Sequence, residues 1–222
     1  MTTEDAGLVA LVLYAIGCAA TFGWRSYVHR RRTGSAGFRG ISGPVGSAGW
    51  WGGVLFVVAL VAGALGPALA AAGVLPARES TAVARVVVGA LLALVGFVLV
   101  LAAQGALGSS WRIGVDPAER TALVTDGWFS RVRNPVFSAM VVALAGIALV
   151  IPTVLTVAAL VALVLAVQLQ VRCVEEPYLR AVHGASYLGY AGTVGRFVPG
   201  MGRYPRAGTD PATTSSTRGD VP

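Results

Sequence analysis

Apolar residues in this chain are gathered into long uninterrupted runs, set apart by short clusters of Arg, Gly and aromatic residues. The longest run, Val136 to Val171, contains no Asp, Glu, Lys or Arg. As one helix it would extend roughly 54 Å at 1.5 Å per residue, whereas a bilayer core is about 30 Å thick, so one straight crossing cannot use it up. Pro152 near its middle predicts a helical hairpin. A membrane hairpin ends on the face where it began, which brings Arg133-Asn134-Pro135 at its entry towards Arg172-Cys173-Val174-Glu175-Glu176 at its exit. Three more runs precede it, at about Gly7 to Trp24, Trp50 to Leu75 and Ala82 to Ala106. With Val136 to Ile151 and Thr153 to Val171 they predict an all-α, polytopic integral membrane protein of about five transmembrane helices. Small residues on the spans, Gly63, Gly66, Gly89, Gly96 and Gly105, are expected to let helices pack closely.

Composition agrees: 55% of the residues are apolar, only 12% are charged against about 25% in a soluble domain, and the mean hydropathy is +0.72. All 17 basic residues are Arg, which reads as a compositional bias of the source and, with the abundance of Ala, Val and Gly, points to a bacterial plasma membrane. The net charge of +7 does not mark a nucleic-acid binder, because the arginines flank apolar segments and suit anionic lipid headgroups. They concentrate after the first and third spans and in the tail, so the positive-inside rule puts the N-terminus outside and the C-terminus in the cytoplasm. The first run lacks a basic leader and is followed by Arg25, so it is read as a retained helix. Cys18 and Cys173 have no metal or disulfide spacing, and no metal site is expected. Three regions follow: residues 1–106 with three spans and a Gly/Ser-rich loop over Thr33 to Gly49, residues 107–204 with the hairpin and the chemistry, and a disordered tail over 205–222. The Pro, Thr and Ser enrichment that marks the tail begins at Tyr204.

The loop from Leu107 to Pro135 is the longest that mixes charge, aromatic and turn residues. Pro135 suits the first position of a helix and leaves backbone donors free for an anionic group, with Arg133 and Asn134 at its mouth. Arg131 is expected only to anchor a helix end. Glu175 and Glu176 are read as the C-terminal end of the fifth span, where the helix dipole and their mutual repulsion disfavour them unless a cation lies beside them. Arg172, three residues earlier, is one such cation. Beyond them Leu179, His183-Gly184, Tyr187 and Tyr190 predict a helix lying along the membrane and covering a pocket, with His183 a turn residue.

These residues resemble the isoprenylcysteine carboxyl methyltransferase family and its relatives, the phospholipid methyltransferases. The family pattern is Arg-His-Pro-x-Tyr-x-Gly, an apolar hairpin, Glu-Glu-x-x-Leu and a Tyr-x-x-Tyr leading to Arg and Pro. Arg133-Asn134-Pro135-Val136-Phe137-Ser138-Ala139 meets the first part with His, Tyr and Gly replaced, while Glu175-Glu176-Pro177-Tyr178-Leu179, Tyr187, Tyr190, Arg196 and Pro199 meet the rest. The likeness covers about Leu107 to Pro199. It implies an enzyme that uses S-adenosyl-L-methionine on the cytoplasmic side. By position, Leu123, Val124, Gly127, Phe129, Arg133, Asn134 and Pro135 would bind the cofactor with Glu175, Glu176, Tyr187 and Tyr190. Arg172 would orient the acceptor. A carboxylate acceptor needs no general base, because its reaction with a sulfonium cancels two charges, whereas an amine or phenol would need Glu175 to take its proton. Asn134 in place of His still bonds but does not titrate near neutrality. The partners implied are membrane lipids and a lipophilic methyl acceptor, either a carboxylate as in isoprenylcysteine or another small lipid or isoprenoid. Two rivals stand beside this reading: an NADPH-dependent membrane reductase of a sterol-like double bond, and a non-enzymatic subunit or transporter. The oligomeric state is open.

Overall fold

The computed structural model describes residues 1–34, 40–41, 43–75, 82–108 and 122–205. Its elements in chain order are α1 (Thr3–Cys18), a π-helical segment (Ala19–Trp24), α2 (Arg25–Thr33), α3 (Ala48–Ala71), α4 (Val83–Ala106), a 3-10 turn (Gly127–Ser130), α5 (Pro135–Val150), α6 (Val154–Gln170), a second π segment (Val171–Glu175) and α7 (Glu176–Thr193). The fold is all-helical, and among the described residues four helices are long and apolar enough to cross a membrane: Thr3–Arg31, Ala48–Ala71, Val83–Ala106 and Val154–Thr193. The fifth, α5, has 16 residues, roughly 24 Å of helix, which is shorter than a bilayer core.

Local chemistry accounts for the boundaries. Thr2 and Asp5 form a reciprocal capping box at the start of α1, each backbone N–H donating to the other's side chain at 3.0 Å. Ser47 Oγ caps α3 by accepting from the Trp50 N–H at 3.2 Å. That helix stops four residues earlier than the apolar run suggests, because Gly73 takes a left-handed φ of 68° and the Val74 N–H turns back to the Leu69 carbonyl. The hairpin turn falls at Ile151-Pro152-Thr153. There Thr153 and Thr156 cap each other at 2.9 and 3.0 Å, and the Thr156 hydroxyl also donates to the Ile151 carbonyl at 2.8 Å. A turn inside apolar surroundings is thereby satisfied internally.

The bundle is held by close pairs, α4 with α5, α3 with α6 and α1 with α3. A Cβ at Gly89 would fall 2.7 Å from the Val150 nitrogen, and one at Gly96 or Gly146 would collide with the backbone of Ala143 or Ala93. Gly66 packs instead on side chains, those of Thr156 in α6 and of its cap Thr153. Glycine is required wherever two helix backbones meet this closely. Gly105, expected among them, faces nothing within 4 Å.

Two expectations about helix ends need correction. The first span does not stop at Trp24: it passes through the π segment into α2, so Arg25 and Arg30 lie on a helix and not in a loop. Likewise Glu175 and Glu176 do not end the hairpin, because α6 continues through the second π segment into α7, whose first turn holds Glu176 and Pro177. Pro177 fits there because a first-turn proline lacks no needed donor. The expected mixed-charge loop at Ser109 to Thr121, and the tail from Arg206 onward, lie outside the described residues.

Candidate active site

Chain direction places the C-terminal ends of the first, third and fifth apolar helices and the N-terminal ends of α3 and α5 at one end of the bundle. They enclose a cavity of about 590 Å³, in the range of small-molecule sites. The apolar part of its wall comes from Phe22 in the first π segment, Phe56, Val57 and Leu60 on α3, Phe137 and Met140 on α5, and Ala166 and Val167 on α6. Both π segments border it, carrying Phe22 and Glu175. Such segments insert one residue per turn and re-aim the side chains that follow.

A buried charged node closes one side. Arg133 and Glu176, 43 residues apart in sequence, meet at 2.7 Å with side chains 2% and 4% exposed. Arg196 grips the same carboxylate with two bonds, Nε to Oε1 at 2.7 Å and Nη2 to Oε2 at 3.0 Å, and the Tyr204 hydroxyl donates to Oε2 at 3.1 Å. Arg133 also donates from Nη1 to the Ala191 and Val194 carbonyls, at 3.0 and 2.6 Å, and from Nη2 to Gly202 at 3.1 Å. Burial pushes the Glu176 carboxyl pKa up, but the bonds and charges of Arg196 and Arg133 outweigh it and hold the group below its ordinary range. Arg196 is held further towards its charged form by Glu176.

The segment Val194 to Tyr204 is sewn onto the hairpin entry. The backbone N–H groups of Arg133 and Asn134 donate to the Gly195 and Arg196 carbonyls at 2.8 and 3.1 Å, Asn134 Nδ2 donates to Arg196 at 3.1 Å, and Ser138 Oγ donates to Phe197 at 2.7 Å. Pro135 does open α5. The N–H groups of Arg133 and Asn134, just ahead of it, are taken up by protein carbonyls. Tyr204, expected at the start of a disordered tail, is instead tied by its N–H to the Ala191 carbonyl at 2.9 Å and by its hydroxyl to Glu176.

Leu123, Val124, Phe129, Arg133, Asn134, Pro135, Glu175, Glu176, Tyr187 and Tyr190 all line the one cavity. Two other residues singled out in the sequence do not. Gly127 is exposed in the 3-10 turn, where its φ of 55° suits glycine. Arg172 is exposed on the outside of the second π segment, and its Nε donates to Gln168 Oε1 at 2.8 Å. The cations beside Glu176 are therefore Arg133 and Arg196, not Arg172. Arg131 is exposed and stacks over the Trp128 ring at 5.4 Å. Tyr190 donates its hydroxyl to the Phe129 carbonyl at 2.6 Å, and burial raises its pKa to about 12.

The sequence did not mark out Gln104 in the wall or Tyr204 in the node as site residues. Gln104 carried a usable signal, an uncharged polar group within an apolar run. Tyr204 carried none, since its role depends on a contact with Glu176, 28 residues earlier.

Comparison with known families places this geometry in context. The phospholipid methyltransferase family model matches residues 84–186, from the start of α4 into α7. No curated protein and no solved structure matches the chain.

Proposed function

From the match of residues 84–186 to the phospholipid methyltransferase family model, we propose that this chain is a membrane enzyme moving a methyl group from S-adenosylmethionine to a lipophilic acceptor. The observation that carries this reading is that Arg133, Asn134, Glu175 and Glu176, from the two ends of the hairpin, line one cavity within the matched segment. The residues fit such a cofactor. Arg133 Nε is buried and has no hydrogen-bond partner among the described residues, which leaves a cationic donor for a carboxylate. Phe129, Tyr187 and Tyr190 give flat walls suited to a purine.

When bound, the cofactor supplies an electrophilic methyl group on a sulfonium sulfur. The protein's part is chiefly to hold the acceptor in line with that methyl and to exclude water, which Phe56, Leu60 and Met140 do on the apolar side. Glu176 is not the base, since both of its oxygens accept bonds and its charge is matched by two guanidinium groups. Tyr190 keeps its proton at neutral pH and is fixed to the Phe129 carbonyl. Glu175 lines the cavity between the two ends of the hairpin, and we assign it the proton where the acceptor must lose one. We assign no step to Arg172.

The test is a titration of the protein in lipid nanodiscs with S-adenosylhomocysteine and with NADPH. Saturable binding of the first is expected, weakened by about one to two decades in Glu175→Gln through loss of a charge-assisted contact. Tight NADPH binding with no response to S-adenosylhomocysteine would overturn the assignment.

A further inference from the structure

Gln104 is a polar residue of the cavity wall that lies outside the charged node. It is 1% exposed, near the C-terminal end of α4. Its amide is held in one orientation: Nε2 donates to the Thr21 carbonyl at 3.1 Å, and because a carbonyl can only accept, the amide nitrogen must face Thr21. Its own backbone carbonyl is gripped by Arg25 Nη2 at 2.8 Å. The Thr21 side chain is fixed in turn, donating to the Gly17 carbonyl at 2.7 Å. What remains is Oε1, a buried acceptor with no partner among the described residues. An unpaired acceptor at such a depth is unfavourable, and a residue pinned from two sides cannot turn away to relieve it. The same wall continues into the apolar surface of Phe22, Phe56, Leu60 and Met140, and Val57 both lines the cavity and is 49% exposed on the outer face of α3.

We propose that Gln104 Oε1 recognises the head of the methyl acceptor, and that the acceptor is a long-chain or isoprenoid molecule presenting a neutral O–H or N–H donor. A carboxylate head is disfavoured there, because its oxygens would face a carbonyl oxygen held rigidly in place. This inference rests on the methyltransferase reading and narrows its substrate class. Gln104 is a specificity residue that touches substrate; the transferred methyl is handled elsewhere in the cavity.

The experiment uses the full chain in nanodiscs and three photoreactive alkyl diazirine probes, identical in chain and differing in head group: hydroxyl, methyl ether and carboxylate. Labelling is mapped by mass spectrometry to Phe22, Phe56, Leu60 and Met140. Labelling by the hydroxyl probe is expected to saturate at a concentration about tenfold lower than for the other two, the effect of leaving one buried acceptor unpaired. Gln104→Met, which keeps the volume and removes Oε1, is expected to abolish that preference while S-adenosylhomocysteine binding persists. Equal saturation by all three probes in the parent would overturn the inference. Should Gln104→Met not fold, the parent comparison still decides. Failure of the parent to bind S-adenosylhomocysteine would defeat the methyltransferase reading, and it is scored separately from the head-group preference.

Discussion

At the scale of single residues, the two adjacent glutamates have opposite duties. Glu176 is enclosed by Arg133, Arg196 and Tyr204, so removing its charge leaves two guanidinium groups facing each other in a buried space. Glu176→Gln is expected to lower folding stability by about 3 kcal/mol, read as a drop in Tm in detergent, because one partner of a buried pair is removed. Glu175→Gln is expected to act on ligand binding, since Glu175 lines the cavity. The pH dependence follows from the same node. The Glu176 carboxyl is held below its ordinary pKa in the folded protein, so its stabilising contribution is fully present above the ordinary value of 4.5 and is lost as pH falls through the lower folded value. Tm should hold steady from neutrality to about pH 5 and fall below that. This particular acid-induced fall should be absent in Glu176→Gln, and a parallel decline in both proteins would exclude Glu176 as its cause. A cation beside the paired glutamates was foreseeable from the helix-end argument. Its identity was not, since Arg172 is near in sequence whereas Arg133 and Arg196 are near only after the chain has folded.

At the scale of elements, glycine decides how near two helices come. Gly89 lies against the α5 backbone, and a methyl group 2.7 Å from the Val150 nitrogen has nowhere to go, so Gly89→Ala should cost about 1–3 kcal/mol. Gly105 faces open space, and Gly105→Ala should stabilise α4 by about 0.5–1 kcal/mol through helix propensity alone. Thermal melts of the two variants should move in opposite directions, and equal shifts would refute the packing account. The apolar runs showed where the helices are, because the membrane demands length and hydropathy, both of which can be counted along a chain. The π segments at Ala19–Trp24 and Val171–Glu175 left no such mark. They change hydrogen-bond register without changing composition, and both lie where side chains must be turned towards the cavity.

At the scale of the whole molecule, the hairpin does what its length and Pro152 require: it carries Arg133 and Glu176 to the same end of the bundle. That much follows from topology alone. The wall supplied by α1 and α3 does not, since nothing local in Phe22, Phe56 or Leu60 distinguishes a cavity residue from a lipid-facing one. The distribution of arginines predicts that this end faces the cytoplasm. Reporter fusions after Arg39, Arg78, Arg120 and the C-terminus should read in, out, in and in. An outward reading at the C-terminus would separate the cavity from any intracellular methyl donor.

The ties between the hairpin entry and Val194 to Tyr204 also bear on the making of the protein. A ribosome delivers Arg133 first, Glu176 later, and Arg196, Gly202 and Tyr204 last, yet all five meet in one node. During synthesis the hairpin therefore reaches the bilayer with its charges only partly matched. The node is completed by a segment translated after the hairpin, so a nascent chain halted before Arg196 would lack three of the five residues that meet there.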